Sequence, residues 1–130
     1  NGTTNDIDFA QTYTHTYGSI ANVSKRIIKL ANTNLTEVAT FGSDTQNGAF
    51  VRADVRYIRV TNLDDSGALQ VGLDDEDSDA AYTSVAADSS IIFTGTTVEG
   101  GNGGSTLDNA TALKVKGAAN QQLEVMIASV

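Results

Sequence analysis

The chain of 130 residues contains no cysteine, no proline, no tryptophan and one histidine. Without thiols it forms no disulfide and no thiolate metal site, and His15 alone supplies neither a catalytic triad nor a set of metal ligands. We therefore predict that no residue is catalytic, that none binds a metal or a cofactor, and that the protein is not an enzyme. No apolar run approaches the ~20 residues of a membrane span, and no basic-then-apolar leader is visible.

The missing prolines leave the turns to glycine, asparagine and aspartate, which accept positive φ or cap their own backbone. Between such turns the sequence alternates apolar and polar residues, which is the period of a strand with one buried face. The alternation is clearest in residues 51–57, 69–73, 113–115 and 123–127. Counting eight or nine strands, we predict an all-β fold, a two-sheet antiparallel β-sandwich that is jelly-roll-like or immunoglobulin-like. A single domain over residues 1–130 would bury roughly two-thirds of its unfolded surface.

The first third of the chain carries weaker patterns. Residues 1–12 are polar and predict either a frayed end or an extended arm that orders against a neighbouring subunit. Residues 11–17 alternate Tyr, His and Tyr with Thr, which is typical of a first strand. Residues 20–31 fit both helical and strand spacing, and their β-branched content favours a strand.

A hairpin is predicted near the middle of the chain. Residues 35–41 read as a strand and residues 42–48 as a polar turn, with Phe41 and Phe50 flanking that turn. In the strand that follows, the alternation changes phase after Tyr57. This change predicts either a β-bulge or a strand that passes from one sheet to the other.

Positive charge is scarce and unevenly placed in a chain of net charge −8. Six of the eight Lys and Arg residues lie within residues 25–59, whereas residues 60–113 hold ten acidic residues and no basic one. Such a field repels the phosphates of nucleic acids and anionic membrane surfaces, so we expect neither as a partner. The candidate contacts with a protein partner are the six clustered basic residues: Lys25, Arg26, Lys29, Arg52, Arg56 and Arg59.

The basic segment has two interpretations. Arg52 and Arg56 are predicted to share a strand face with Asp54, and Arg59 lies beyond the change of phase. Either these cations pair with the domain's own surplus acids, or they dock against an acidic patch. That patch would belong to another protein or to an identical subunit, and the latter case makes the protein a homo-oligomer.

The acidic run at residues 74–79 is the strongest candidate for a cation site. Three of its aspartates alternate like the opening of a calcium loop, but Ala80 stands in place of the sharp-turn glycine. Ala86 likewise replaces the bidentate glutamate. The pattern therefore predicts a solvated turn, and the Gly-, Thr- and Asn-rich residues 95–106 predict a long loop.

The sequence pattern and composition of residues 57–62, 69–73 and 85–93, and of residues 113–116 and 123–128, are similar to those of one group of proteins. It resembles small β-sandwich virion proteins of tailed bacteriophages, namely capsid decoration (cement) proteins and head- or tail-associated structural proteins. The resemblance covers about the last eighty residues and transfers no catalytic residue. It implies a virion location on the capsid surface, oligomeric assembly, and the major capsid protein or another virion protein as partner.

Two functions follow as hypotheses. The first is a non-enzymatic capsid decoration protein that binds and stabilises the assembled phage head. The alternative is a carbohydrate- or receptor-binding module, lectin- or adhesin-like, such as one on a phage tail. That module would use the loops at residues 74–79 and 100–104.

Overall fold

The computed structural model describes residues 20–43, 49–75, 81–94 and 110–130. The arm at residues 1–12, the strand at residues 11–17, most of the acidic run and the loop at residues 95–106 therefore lie outside the described residues. The strands are β1 (Asn22–Lys29), β2 (Thr36–Gly42), β3 (Phe50–Val51), β4 (Val55–Asn62), β5 (Leu69–Asp75), β6 (Ala81–Val85), β7 (Ser90–Thr94), β8 (Ala110–Lys116) and β9 (Gln122–Ser129). Within these ranges, no helix has the length and hydrophobicity that a membrane span requires.

The strands form two sheets, which confirms the predicted all-β sandwich. One sheet has four strands in the order β1-β9-β4-β7, and the other has five in the order β3-β2-β8-β5-β6. Most connections between consecutive strands cross from one sheet to the other. An exception is β5–β6, whose strands are antiparallel neighbours in the five-stranded sheet. This wrapping of the chain across both sheets is that of a jelly roll.

The core lies between the inner faces of the two sheets. Alternate residues of β4 and β9 point inward, among them Ile58, Val60 and Ile127, and each is at most 1% exposed. From the opposite sheet, Leu69 and Leu113 meet them, both fully buried. Burying one such side chain contributes about 1.5–3 kcal/mol, so the period-two pattern is the main source of stability for the sandwich.

The ambiguous residues 20–31 contain a strand, as their β-branched content indicated. β1 pairs with β9 in an unbroken antiparallel register from Asn22 opposite Ser129 to Lys29 opposite Gln122. The apolar residues that suggested helical spacing do not form a buried stripe, because Val23 and Ile27 are more than 60% exposed.

The hairpin predicted at residues 42–48 is wrong. β3 pairs in parallel with β2, with Phe41 beside Phe50, so the chain does not reverse direction between these two strands. The two rings lie 6.1 Å apart. Aromatic residues on both sides of a polar turn are compatible with either direction of pairing, and only the register distinguishes them.

The strand predicted over residues 51–57 is interrupted. A 3-10 helix, Arg52–Asp54, separates β3 from β4. Arg52 and Arg56 therefore do not share a strand face with Asp54, which corrects that prediction. The reason is the change of sheet: β3 belongs to the five-stranded sheet and β4 to the four-stranded one, and the short helix carries the chain across.

Both explanations of the phase change prove correct, although it occurs slightly earlier than predicted. The chain changes sheet at the 3-10 helix, and the register of β4 with β9 then shifts between Val55 and Tyr57. The bulge therefore lies at Arg56, immediately before Tyr57 rather than after it. A bulge at this point lets β4 enter the middle of its sheet with Ile58 pointing into the core.

Candidate interaction surface

The outer side of the four-stranded sheet is the candidate functional surface, and we call it the basic face. It consists of the side chains on β1, β9, β4 and β7 that point away from the core. One row across it runs from Lys25 through Met126 and Arg59 to Ile92, each residue paired with the next in the sheet. Lys29 extends the face at the end of β1.

Large apolar side chains are exposed on the basic face. Val23 is 62% exposed, Ile27 66% and Ile92 51%. Single exposed apolar residues are normal on a protein surface, but a group on one face indicates a contact with another molecule. These three residues were not among the sequence candidates, because alternation shows that neighbours lie on opposite faces without showing which face is buried.

Glu124 on β9 lies between the two neighbouring strands that carry cations. Its Oε2 is 3.2 Å from Lys25 Nζ on β1, and its Oε1 accepts a hydrogen bond of 2.8 Å from Arg59 Nη2 on β4. The hydrogen bonds from Arg59 and Lys25 lower the pKa of Glu124 below its ordinary value. Since Lys25, Lys29 and Arg59 outnumber this one carboxylate, the outward-pointing side chains of the basic face carry a net charge of three minus one, or +2, in a protein of net charge −8.

Replacing Glu124 with glutamine is expected to weaken the dependence of stability on acid. A carboxylate whose pKa is lowered by folding stabilises the native state above its unfolded pKa, and this contribution is lost as the pH falls through the folded value. The melting temperature of the wild type should therefore fall more steeply than that of Glu124→Gln between about pH 5 and pH 2. Glu37→Gln, an exposed glutamate on the other sheet, is the control and should follow the wild type.

Three of the six predicted contact residues meet on the basic face, and three do not. Lys25, Lys29 and Arg59 share it. Arg26 points to the opposite side of β1, where its Nη2 donates to the carbonyl oxygen of Val38. Arg52 and Arg56 lie where the chain crosses from the five-stranded sheet to the four-stranded sheet.

Arg56 is engaged by the backbone at that passage. Its Nη1 donates to the carbonyl oxygens of Ala53 at 2.6 Å and Val55 at 3.2 Å. Arg52 lies in the 3-10 helix itself. Arg56 therefore stabilises the turn that precedes β4, and these hydrogen bonds give its side chain a structural role.

The outer side of the five-stranded sheet is different in character. There the Lys114 Nζ forms an ion pair with the Asp74 carboxylate, and Tyr82 Oη donates to Asp74 Oδ1 at 3.3 Å. The hydrogen bond to Asp74 raises the pKa of Lys114, and desolvation followed by the charge of Asp74 raises the pKa of Tyr82. Charge on this face is thus largely compensated by neighbours.

The first carboxylate of the acidic run, that of Asp74, already has partners within the protein. Asp74 has a side chain only 8% exposed and uses its oxygens for Lys114 and Tyr82. Across the described ranges, no three His, Cys, Asp or Glu side chains lie close enough together to hold a metal ion. Asp74 serves here as a partner for a lysine on β8, which sequence spacing alone does not reveal.

Comparisons with known proteins show a weak structural similarity. No protein-family model and no curated protein matches the chain. A solved chain from Bacillus endospore appendages, described as a novel family of disulfide-linked pili, is similar in structure with a TM-score of 0.46 and 10% sequence identity. The alignment covers 92% of this chain and 98% of that one. At this level of similarity no function or assembly is transferred, and the function is argued from the basic face.

Proposed function

We propose that the protein is a non-enzymatic structural protein that attaches through its basic face to the outside of a phage capsid. The observation that carries the proposal is the composition of that face. Exposed Val23, Ile27 and Ile92 surround cations in a protein that is otherwise strongly acidic. The partner that fits is a protein surface with apolar contacts and acidic side chains, and the major capsid protein of an assembled head is the one we propose.

The charge distribution favours one orientation of the protein on an acidic shell. The acidic turns, among them Asp64, Asp65 and Asp88, lie off the basic face and repel an acidic shell. The basic face is attracted to it, so the subunit approaches with that face first. A protein that binds only the assembled shell stabilises it by mass action, which is how a decoration protein reinforces a head.

Removing the exposed isoleucines is expected to weaken binding to the shell. Ile27→Ser with Ile92→Ser should lower affinity for undecorated particles by about tenfold or more, because apolar anchors supply much of the binding energy of an interface. The control is Leu35→Ser, since this leucine is 46% exposed and precedes β2 of the other sheet. Co-sedimentation with purified particles, followed by quantitation of bound copies, measures the effect.

Charge reversal tests the cations in the same assay. Lys29→Glu should weaken binding and reduce its dependence on salt, whereas Lys116→Glu, an exposed lysine on β8 of the other sheet, should bind as the wild type does. The proposal fails if the protein does not sediment with the particles, or if the control variants weaken binding as much as the test variants.

A further inference from the structure

The two outer strands of the four-stranded sheet each have an open edge. In the order β1-β9-β4-β7, the strands β1 and β7 lie at opposite ends, and neither has a second neighbour within the described part of the chain. Each strand is antiparallel to the next, so β1 and β7 also run in opposite directions. An open edge presents backbone N–H and C=O groups that favour pairing with one more strand. The sheet of one copy can therefore be continued by the sheet of another.

We propose that β1 of one copy pairs with β7 of the next copy, edge to edge and antiparallel, so that copies join head to tail in one continued sheet. The contact is heterologous, because each partner contributes a different strand. It therefore leaves a free β7 and a free β1 at the two ends, and these can bind further copies. The inference does not rest on the proposed capsid contact.

The hydrogen-bond pattern identifies the backbone groups at the two open edges. The Leu30 N–H donates to the Gln121 carbonyl oxygen at 2.9 Å, which continues the register of β1 with β9. Because alternate residues of a strand bond to the same neighbour, even-numbered residues of β1 face β9 and odd-numbered ones face the open edge. Likewise, the Asn62 N–H donates to the Ser89 carbonyl oxygen, so the even-numbered residues of β7 face its open edge. On both strands, the residues at the open edge are those whose side chains belong to the basic face.

One register of the two edges pairs apolar residues on both sides of the continued sheet. It sets Ile27 of one copy opposite Ile92 of the next on the basic face, where these side chains are 66% and 51% exposed in the single chain. On the core side it sets Ile28 opposite Ile91, and both are half-buried at the margin of the core. All of β7 then lies opposite residues 25–29, inside β1. A shift by two residues in either direction would set a lysine of β1 opposite Ile92.

Charge favours this pairing over a contact between two copies of β1. β1 carries Lys25, Arg26 and Lys29 and no acidic residue, so two such strands side by side would bring together three plus three, or six, positive charges. Like charges opposite one another destabilise a sheet. β7 carries no charged residue. In the proposed register the two lysines lie opposite Thr94 and Ser90, which have uncharged polar side chains.

Disulfide cross-linking tests this register, because the chain contains no cysteine of its own. Ile27→Cys and Ile92→Cys are prepared separately, one of them isotopically labelled, and are mixed in equal amounts and oxidised. Directly paired residues have Cα atoms about 5.5 Å apart, which a disulfide can bridge. Mass spectrometry should show the crossed dimer in about tenfold excess over the two homodimers together, since pairing raises the effective concentration of the two thiols. Random collision would give equal amounts.

Val23→Cys mixed with Ile92→Cys is the matched control. Val23 lies on the same face of β1 as Ile27, and its exposed fraction of 62% is close to the 66% of Ile27. In the proposed register it lies about 13 Å along the strand from the residue opposite Ile92, which is beyond the reach of a disulfide. This mixture should therefore give the crossed dimer only in the random proportion.

The doubly substituted chain, Ile27→Cys with Ile92→Cys, should form covalent multimers larger than a dimer, and a product that stops at the dimer would contradict the head-to-tail arrangement. The proposal is also overturned if Ile27→Cys gives the crossed dimer only in the random proportion, or if Val23→Cys gives as much of it. A predominance of Ile92→Cys homodimers would overturn it too, since β7 would then pair with itself in a symmetric contact. Because no particles are present, failure here leaves the capsid contact to its own test.

Discussion

Replacing Asn62 with aspartate is expected to lower the free energy of unfolding by about 3–5 kcal/mol, the largest effect that we expect from a single isosteric change. Asn62 is the last residue of β4 and is completely buried. Its Nδ2 donates to the carbonyl oxygens of Gly67 at 2.9 Å, Ala86 at 3.2 Å and Val85 at 3.3 Å. Aspartate keeps the size but removes both N–H donors and sets a negative charge against three carbonyl oxygens.

The rest of the network explains why the side chain cannot turn away. Asn62 Oδ1 accepts from Gln121 Nε2 at 3.1 Å and from the Asp64 N–H at 3.3 Å. Gln121, 1% exposed, in turn accepts from the Ala118 N–H at 2.8 Å. These bonds connect the β4–β5, β6–β7 and β8–β9 loops at one end of the sandwich. A buried carbonyl left without its donor costs about 1–3 kcal/mol.

Chemical denaturation of the wild type and Asn62→Asp measures this effect, and pH supplies a second observable. The carbonyl oxygens around the new carboxyl would raise its folded pKa, so the deficit should grow as the pH rises above the unfolded value of about 4 and shrink in acid. Asn32→Asp is the control, because Asn32 is exposed and its Oδ1 accepts from the Asn34 N–H, which an aspartate oxygen does equally well. Equal stabilities of Asn62→Asp and Asn32→Asp at neutral pH would refute the role given to the network.

Replacing Gly117 with alanine is expected to lower the free energy of unfolding by about 3 kcal/mol. An added Cβ would overlap Gln121 Oε1 and approach Gln121 Cδ and Leu30 Cδ1 at 3.0 Å each. Exposed neighbours could move aside, but both of these side chains are 1% exposed. Moving the Gln121 amide breaks its bonds to Ala118 and Asn62, so the added methyl group disturbs the same network.

A double-mutant cycle separates this overlap from backbone strain. In a Gln121→Ala background the added methyl no longer overlaps the Gln121 amide, so Gly117→Ala should cost about 1–2 kcal/mol less than it does in the wild type. Gly67→Ala is the comparison. Gly67 has a φ of +84° with no atom within 4 Å of an added Cβ, and its substitution should cost about 1 kcal/mol through backbone strain alone. Additive effects of Gly117→Ala and Gln121→Ala would contradict the proposed overlap.

The alternation of the sequence did not predict this network. Asparagine and glycine are common turn residues, and nothing in the spacing of Asn62, Gly117 and Gln121 distinguishes a buried amide from a solvated one. Their burial follows from three loops that meet at one end of the sandwich, and these loops are separated by up to about sixty residues along the chain. Contacts between loops so far apart along the chain do not produce a periodic pattern in a short stretch of sequence.

The basic residues likewise show that a local sequence pattern does not reveal which residues lie together in the fold. Composition located the cations, but strand order decided which of them act together. Lys25 and Arg59 are not on adjacent strands, and Glu124 from the last strand lies between them. Arg26, although it follows Lys25 directly, points to the other side of β1 and links the sheets.

Sequence by itself determined that this protein is a sandwich of short strands, because an alternation of period two is enforced locally by the pleat of the backbone. It also determined that the chain changes phase near Tyr57. Only the tertiary structure decided the strand order, the break at residues 52–54 and the parallel entry of β3, since each depends on which distant strand supplies the hydrogen-bond partner. The face that carries Val23, Ile27 and Ile92 beside lysine and arginine was decided in the same way, because the core on the other side of each strand fixes which alternate residues remain exposed.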